Sequence, residues 1–285
     1  MIFSIGEIVW DIFGDKKILG GAPLNVAYHL ANLDRQAGLI SRIGCDSPAD
    51  LAIQQISDIG LDTCYIQHDP RLPTGRVIVT LSAQGQPAFD IIAPAAWDEI
   101  DSGLFPTAFT EKPYHLVFGS LAQRNSVSRA AIRSLWQNAE LLFYDVNLRP
   151  PFTPKETVSP SLTVADVVKL NDTELDQVAD WCDIAPGRPQ KRAEDLFNRF
   201  DLLALVVTLG EKGAMLISTD GIYTHPGFPV QVTDTVGAGD AFFATLIDGI
   251  IDKLPWRLCL ERANKRGSFV AGRRGATPSM SDFKF

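Results

Sequence analysis

Apolar and polar positions along this chain follow two periods, and their order predicts the architecture. The run 2–9 reads as a buried first strand. Apolar residues at 24, 26, 27, 30 and 33 share one helical face, so a helix is expected over 24–33. The stretch 37–43 is apolar enough for a strand, and 49–59 predicts a second helix. Further on the pattern predicts strands at 114–118, 141–146, 164–170 and 202–209, the last continuing through 213–217 as a hairpin. Helices are expected over 126–138, from Glu174 onward, and over 240–251 and 256–271. The proline-rich stretch 150–160 reads as a loop.

One segment breaks this rhythm. Val77, Val79 and Leu81 alternate with Ile78, Thr80 and Ser82. A Gln-Gly-Gln turn follows at 84–86, and Phe89, Ile91 and Ile92 resume the pattern. This is a hairpin, and it looks like a small sheet appended to an α/β body. Strands alternating with helices imply a mostly parallel central sheet covered by helices on both faces. Ligands of such sheets bind beyond the carboxyl ends of the strands. With 285 residues, 46% of them hydrophobic, the chain is expected to form one α/β domain over 1–285.

Charge narrows the partners. The net charge of -8 argues against nucleic acid. Positive potential for a phosphate must then be made locally. Cys45, Cys64, Cys182 and Cys259 are too scattered for a disulfide framework or a metal cluster. The N-terminus lacks a basic leader, and no apolar run reaches membrane-spanning length. These features lead to the expectation of a cytoplasmic protein.

The chemistry concentrates at Asp234-Thr235-Val236-Gly237-Ala238-Gly239-Asp240, directly before a helical pattern. Gly, Ala and Gly remove bulk where a helix begins and leave N–H groups open to an anion. A carboxylate beside an anion pocket is costly unless it accepts a proton from an attacking hydroxyl. At the other end of the chain, Gly20-Gly21-Ala22-Pro23 precedes a helix carrying Asn25, whose amide suits hydroxyls. Asp145-Val146-Asn147-Leu148-Arg149, Asn171-Asp172-Thr173-Glu174 and Thr208-Leu209-Gly210-Glu211-Lys212-Gly213 each follow or end a strand. Asn171 and Glu174 also suit a helix cap. Two rivals lack their main device: no Gly-x-Gly-x-x-Gly follows the first strand, and no Gly-x4-Gly-Lys-Ser/Thr occurs.

The run 234–240 matches every position of the Asp-Thr-x-Gly-Ala-Gly-Asp signature of the ribokinase-like, or phosphofructokinase-B-type, sugar kinases. The Gly-Gly stretch at 20–21 is similar to that family's N-terminal signature. The resemblance implies that Asp240 is the catalytic base and that Gly237, Ala238 and Gly239 form an anion hole, and Arg149, which matches the Asp-x-Asn-x-Arg of fructokinase-like members, would balance phosphate charge or contact the sugar. It implies sugar contacts from Asp11, Gly20, Gly21 and Asn25. It places Asn171, Thr208, Gly210, Gly213 and Asn264 on the ATP side, and Glu174 on Mg²⁺ through water. Asp234, Val236, Val270, Arg273, Gly275 and Ser279 match a monovalent-cation (K⁺) site. Segments near 12–20 and 63–93 would form a β lid, which in this family often pairs across a homodimer. Gly-Gly-Ala-Pro at 20–23 and Phe118-Gly119-Ser120 resemble the fructokinases, whereas ribokinases usually carry Lys in place of Ala22. Many fructokinases also carry basic or aromatic residues along 85–92, and this chain has Phe89 but no Arg there. Fructose is therefore the first expectation. The alternatives are 2-keto-3-deoxygluconate, ribose, or a sugar-binding relative without turnover.

Overall fold

The computed structural model describes residues 1–81, 87–106 and 112–285. Its first strand is shorter than the pattern suggests. β1 (Ile2–Ile5) ends at Gly6, which holds φ +153 and would place a Cβ 2.6 Å from Pro23 Cγ. Only glycine tolerates that conformation and that contact. The chain resumes in β2 (Val9–Phe13), which leaves the central layer and forms a hairpin with β3 (Lys16–Gly20).

Among the described residues the central sheet has nine strands. β4 (Ala37–Gly44) and β5 (Ile66–Asp69) lie on one side of β1. On the other side follow β8 (Tyr114–Gly119), β9 (Ala139–Asp145), β10 (Val167–Asn171) and β11 (Ala204–Thr208). All of these run parallel. β12 (Ala214–Ser218) and β13 (Gly221–His225) close the edge as an antiparallel hairpin. Burial on both faces explains why β11 reads Ala-Leu-Val-Val with every side chain hidden.

Helices cover both faces. α1 (Ala22–Ala31), α7 (Ala238–Ile251) and α8 (Trp256–Ala271) pack on one, burying Val26, Phe243 and Leu260 against Val117, Phe143 and Val206. α2 (Ser47–Asp58) lies beside α1 over β4. The opposite face takes α3 (Ser126–Ser134), α4 (Lys155–Val164), α5 (Asp172–Trp181) and α6 (Pro189–Phe200). α7 is mostly apolar, as suits a helix in which every residue from Ala241 to Ile250 is buried. Gly249 lets α8 approach, since a Cβ there would stand 2.8 Å from Cys259 Sγ.

A separate four-stranded sheet has the order β3-β2-β6-β7, with β6 (Gly75–Leu81) and β7 (Pro87–Ile91) supplying the hairpin expected from sequence. The turn expected at 84–86 lies outside the described residues. The small sheet draws on residues from Val9 and Gly75. Residues 66–69, expected to belong to it, pair with β4 in the large sheet instead.

Two sequence expectations are corrected. The stretch 150–160 is only partly loop, because α4 begins at Lys155 and carries Pro160 inside it. Proline there forfeits one hydrogen bond, but burial of Val158 and Leu162 holds the helix. Val164 accordingly ends a helix, and the next strand starts at Val167. Helix α6 was not anticipated from the pattern. Among the described residues no helix is long and apolar enough to cross a membrane, and all four cysteines are free.

Candidate active site

The parallel strands deliver their carboxyl ends to one rim of the sheet, and α7 points its N-terminus at that rim. Gly237 caps α7 in the left-handed region, φ +77, with space for a Cβ denied by Ala276 Cα at 2.5 Å. Asp234 shapes the approach: Oδ1 accepts from the Val236 N–H and Oδ2 from the Gly275 N–H, each at 3.0 Å. The Ala238 N–H donates to Thr235 O at 3.3 Å. The N–H groups of Gly239 and Asp240 take no acceptor among the described residues. Together with the helix dipole they make a head of positive potential.

Asp240 sits in the first turn of α7, and its Oδ2 accepts from Asn25 Nδ2 at 2.7 Å. Burial pushes its carboxyl above the ordinary carboxylate range, and Lys169 pulls it back down. Asn25 is buried on α1, and its Oδ1 has no partner among the described residues. The two glycine motifs, at opposite ends of the chain, therefore meet.

The glycines at 20 and 21 solve packing problems at the same rim. A Cβ on Gly20 would stand 3.1 Å from Asp11 Oδ2, and one on Gly21 would meet Glu7 O at 2.3 Å. Asp11 lies within β2, half-buried, and burial pushes its carboxyl to about 6 against the pull of Arg149. Arg149 is exposed, donates to Leu148 O at 2.8 Å, and acts electrostatically on Glu7, Asp11 and Asp240.

Asn171 and Glu174 form a reciprocal cap on α5. Asn171 Oδ1 accepts from the Glu174 N–H at 2.8 Å, and Glu174 Oε2 accepts from the Asn171 N–H at 2.9 Å. Glu174 Oε1 accepts from the Leu148 N–H at 2.8 Å, so this buried carboxylate also ties down the loop after β9. Thr208 ends β11 beside Asn171. Gly210 follows at φ +60, and Gly213 at φ +82 packs under His225 O. Asn264 is buried on α8 and donates to Leu260 O at 2.7 Å.

The predicted monovalent-cation residues are partly assembled. Asp234, Val236 and Gly275 are joined by the bonds above. Val270 is buried with its carbonyl accepting from the Arg273 N–H at 2.9 Å. The Arg273 guanidinium stacks on Phe269 at 3.5 Å, and Ser279 Oγ pairs with Ser281 Oγ at 3.1 Å.

The pfkB family carbohydrate kinase profile matches residues 6–282 of this chain. The chain belongs to the pfkB family of carbohydrate kinases. It is 27% identical over 300 residues to a fructokinase of Escherichia coli, covering 98% of this chain and 95% of that one. Among solved structures, a Vibrio cholerae fructokinase with fructose, ADP and calcium bound superposes with a TM-score of 0.84 at 26% identity, covering 97% and 94% of the two chains. A sugar kinase of Pyrococcus horikoshii in complex with ATP gives 0.83 at 27% identity, covering 97% and 94%. The pfkB fold thus accounts for the parallel sheet with helices on both faces, and the enzyme is a sugar kinase.

Two charged groups of this pfkB site were missed from sequence. Glu7 is 5% exposed, and its carboxyl is pushed up to about 7 by burial, with Arg149 opposing and Asp240 adding to the rise. Lys169, 8% exposed, binds both oxygens of Asp145 at 3.0 and 2.9 Å. Its signal was available: one lysine inside the apolar run Val167-Val168-Lys169-Leu170. A charge in a strand buried on both faces demands a partner.

Divalent-metal donors are sparse. Among the described residues no group of three or more His, Cys, Asp or Glu side chains could hold a metal ion. Both Glu174 oxygens already accept backbone N–H groups. The donor chemistry thus fits outer contact through water and does not fit a direct carboxylate cage.

Proposed function

We propose that this enzyme transfers the γ-phosphoryl group of ATP to a primary hydroxyl of a ketose, with fructose as the preferred substrate. The observation that carries the reading is the Asn25–Asp240 hydrogen bond at the mouth of the α7 amides. It supports the reading because it brings an amide and a carboxylate together beside open N–H groups. The unpartnered Oδ1 of Asn25 is an acceptor suited to a sugar hydroxyl. Asp11 beside Gly20 offers a carboxylate to neighbouring hydroxyls.

In this reading Asp240 draws the proton from the attacking hydroxyl. Its raised proton affinity makes it a better base than an ordinary aspartate. In the anion hole expected at Gly237, Ala238 and Gly239, the Ala238 N–H is already engaged with Thr235 O, so the open N–H groups of Gly239 and Asp240 would take the charge that spreads over the transferring phosphate, and Arg149 would add to their field. Asn171, Thr208, Gly210 and Gly213 border the nucleotide, with Asn264 on the adenine side. Magnesium carried by ATP would supply neutralisation of phosphate charge, and Glu174 would hold it through water. A potassium ion at Asp234, Val236, Val270, Arg273, Gly275 and Ser279 would stiffen the loops that carry the α7 cap. Unchanged activity when potassium is replaced by a large organic cation would remove that part.

The small sheet serves in this reading as a lid that excludes water. Phe13 and Phe89 are exposed on it, at 39% and 57%, which supports pairing of two lids in a homodimer. Four free cysteines suit a cytoplasmic setting. ADP release over a panel of fructose, ribose, 2-keto-3-deoxygluconate and related sugars tests the substrate. The highest kcat/KM is expected with fructose, and a higher value with any other sugar overturns the assignment.

A further inference from the structure

Asp145 at the end of β9 and Lys169 on β10 form an ion pair under the head of α7, 4% and 8% exposed. Their strand neighbours Phe143, Tyr144, Val168 and Leu170 are fully buried. Such a pair is a poor source of stability, because desolvation offsets the attraction. Its position points to another role. Lys169 Nζ lies 3.3 Å from where a Cβ on Gly239 would stand, so the missing side chain lets the first turn of α7 settle onto the ammonium. Asp240 is the next residue.

We propose that Lys169 is a positioning residue whose buried ammonium holds Asp240 ionised and adds fixed positive charge beneath the α7 amides, while Asp145 limits that field. This rests on the reading of Asp240 as the base. Asn25 from α1 bonds Asp240 directly, and the charged groups that act on it electrostatically are Lys169 from β10, Asp145 from β9, Arg149 from the loop after β9, and Glu7 after β1. Among them Lys169 acts most strongly in favour of the carboxylate, Arg149 acts the same way from an exposed position, and Asp145 opposes both. Asp240 and Glu174 in turn help keep Lys169 protonated.

The pair gives a test in which sign decides. Lys169→Met should move the acid limb of kcat/KM for the sugar to higher pH by about one unit or more. Asp145→Asn should move it to lower pH. The Asp240 carboxyl carbon, followed by NMR titration in the free enzyme, should shift in the same two directions. Loss of packing alone would not drive two substitutions in opposite directions. An unmoved acid limb, or shifts of the same sign, overturns the proposal. If Lys169→Met does not fold, Asp145→Asn decides: a downward shift supports the proposal and an unmoved limb overturns it. Asp240→Asn separates the two layers. Near wild-type kcat in that variant overturns the base reading itself, whereas an inactive Asp240→Asn with unmoved profiles overturns only the role of Lys169.

Discussion

Asn25 donates to Asp240 at 2.7 Å across 215 residues of chain. The bond joins α1, which follows the Gly-Gly turn, to the first turn of α7, which follows Gly-Ala-Gly. Each helix alone presents a common loop-to-helix start. Joined, they bring a carboxylate and a side-chain amide to one set of open N–H groups.

Asp240→Asn should keep the fold, because an amide oxygen still accepts from Asn25. It should lower kcat by about 10²–10⁴-fold, the range expected for loss of a general base. Sugar affinity should stay within a few-fold. Steady-state kinetics with calorimetry of sugar binding measures both, and a kcat near wild type would exclude the base role.

Asp11→Ala should raise KM for the sugar and leave nucleotide affinity unchanged. Asp11 lies on β2 of the small sheet, away from the strand ends that carry Asn171 and Thr208. Calorimetric titration with each ligand checks this, and intact sugar affinity would count against it.

Glu7 gives the stability of the fold a pH dependence of definite sign. Its carboxyl titrates near 4.5 when unfolded and about 7 when folded, because burial disfavours the charge. Between those values the folded chain holds a proton that the unfolded chain has released. The contribution of Glu7 is therefore full below about pH 4.5 and lost as pH rises through about 7. Glu7→Gln removes this loss. Its Tm relative to wild type should be higher at pH 8 than at pH 5, by an amount corresponding to on the order of 3 kcal/mol at most. Thermal unfolding at the two pH values measures it, and an equal difference at both would refute it.

Gly213→Ala should destabilise the β11–β12 turn by at least about 1 kcal/mol. The position holds φ +82, and the added Cβ would lie 2.0 Å from His225 O. Gly210→Ala provides the contrast: it has φ +60 but open space around it, so its cost should be smaller. Urea unfolding of the two variants compares them, and equal losses would show that the clash contributes nothing.

Much of the architecture could be read from the chain. The strand–helix alternation is a local period, so β8, β9, β11, α7 and α8 fall where the pattern places them. Errors arose where tertiary contact outweighs local preference. Pro160 argues against a helix over 155–164, yet Val158 and Leu162 are driven into the core and carry the helix with them. The single strand read over 2–9 breaks at Gly6, where Pro23, seventeen residues on, packs so close that no side chain fits.

The glycine signatures and the flanking Asp and Asn side chains were legible because open backbone N–H groups and helix initiation are short-range properties of the backbone. Glu174 was legible for the same reason, as the partner of Asn171 in a cap. What the residues near one another in sequence determined was thus the chemistry available: open amides, a carboxylate beside them, and polar groups at strand ends. Only the folded arrangement decided which of these charges feel one another. Lys169 and Asp145 reach each other across adjacent strands, and Glu7 feels the charges of Arg149 and Asp240 from two distant segments. Their proton affinities depend on how deeply water is excluded around them, and that exclusion belongs to the packed sheet and helices, not to any stretch of chain.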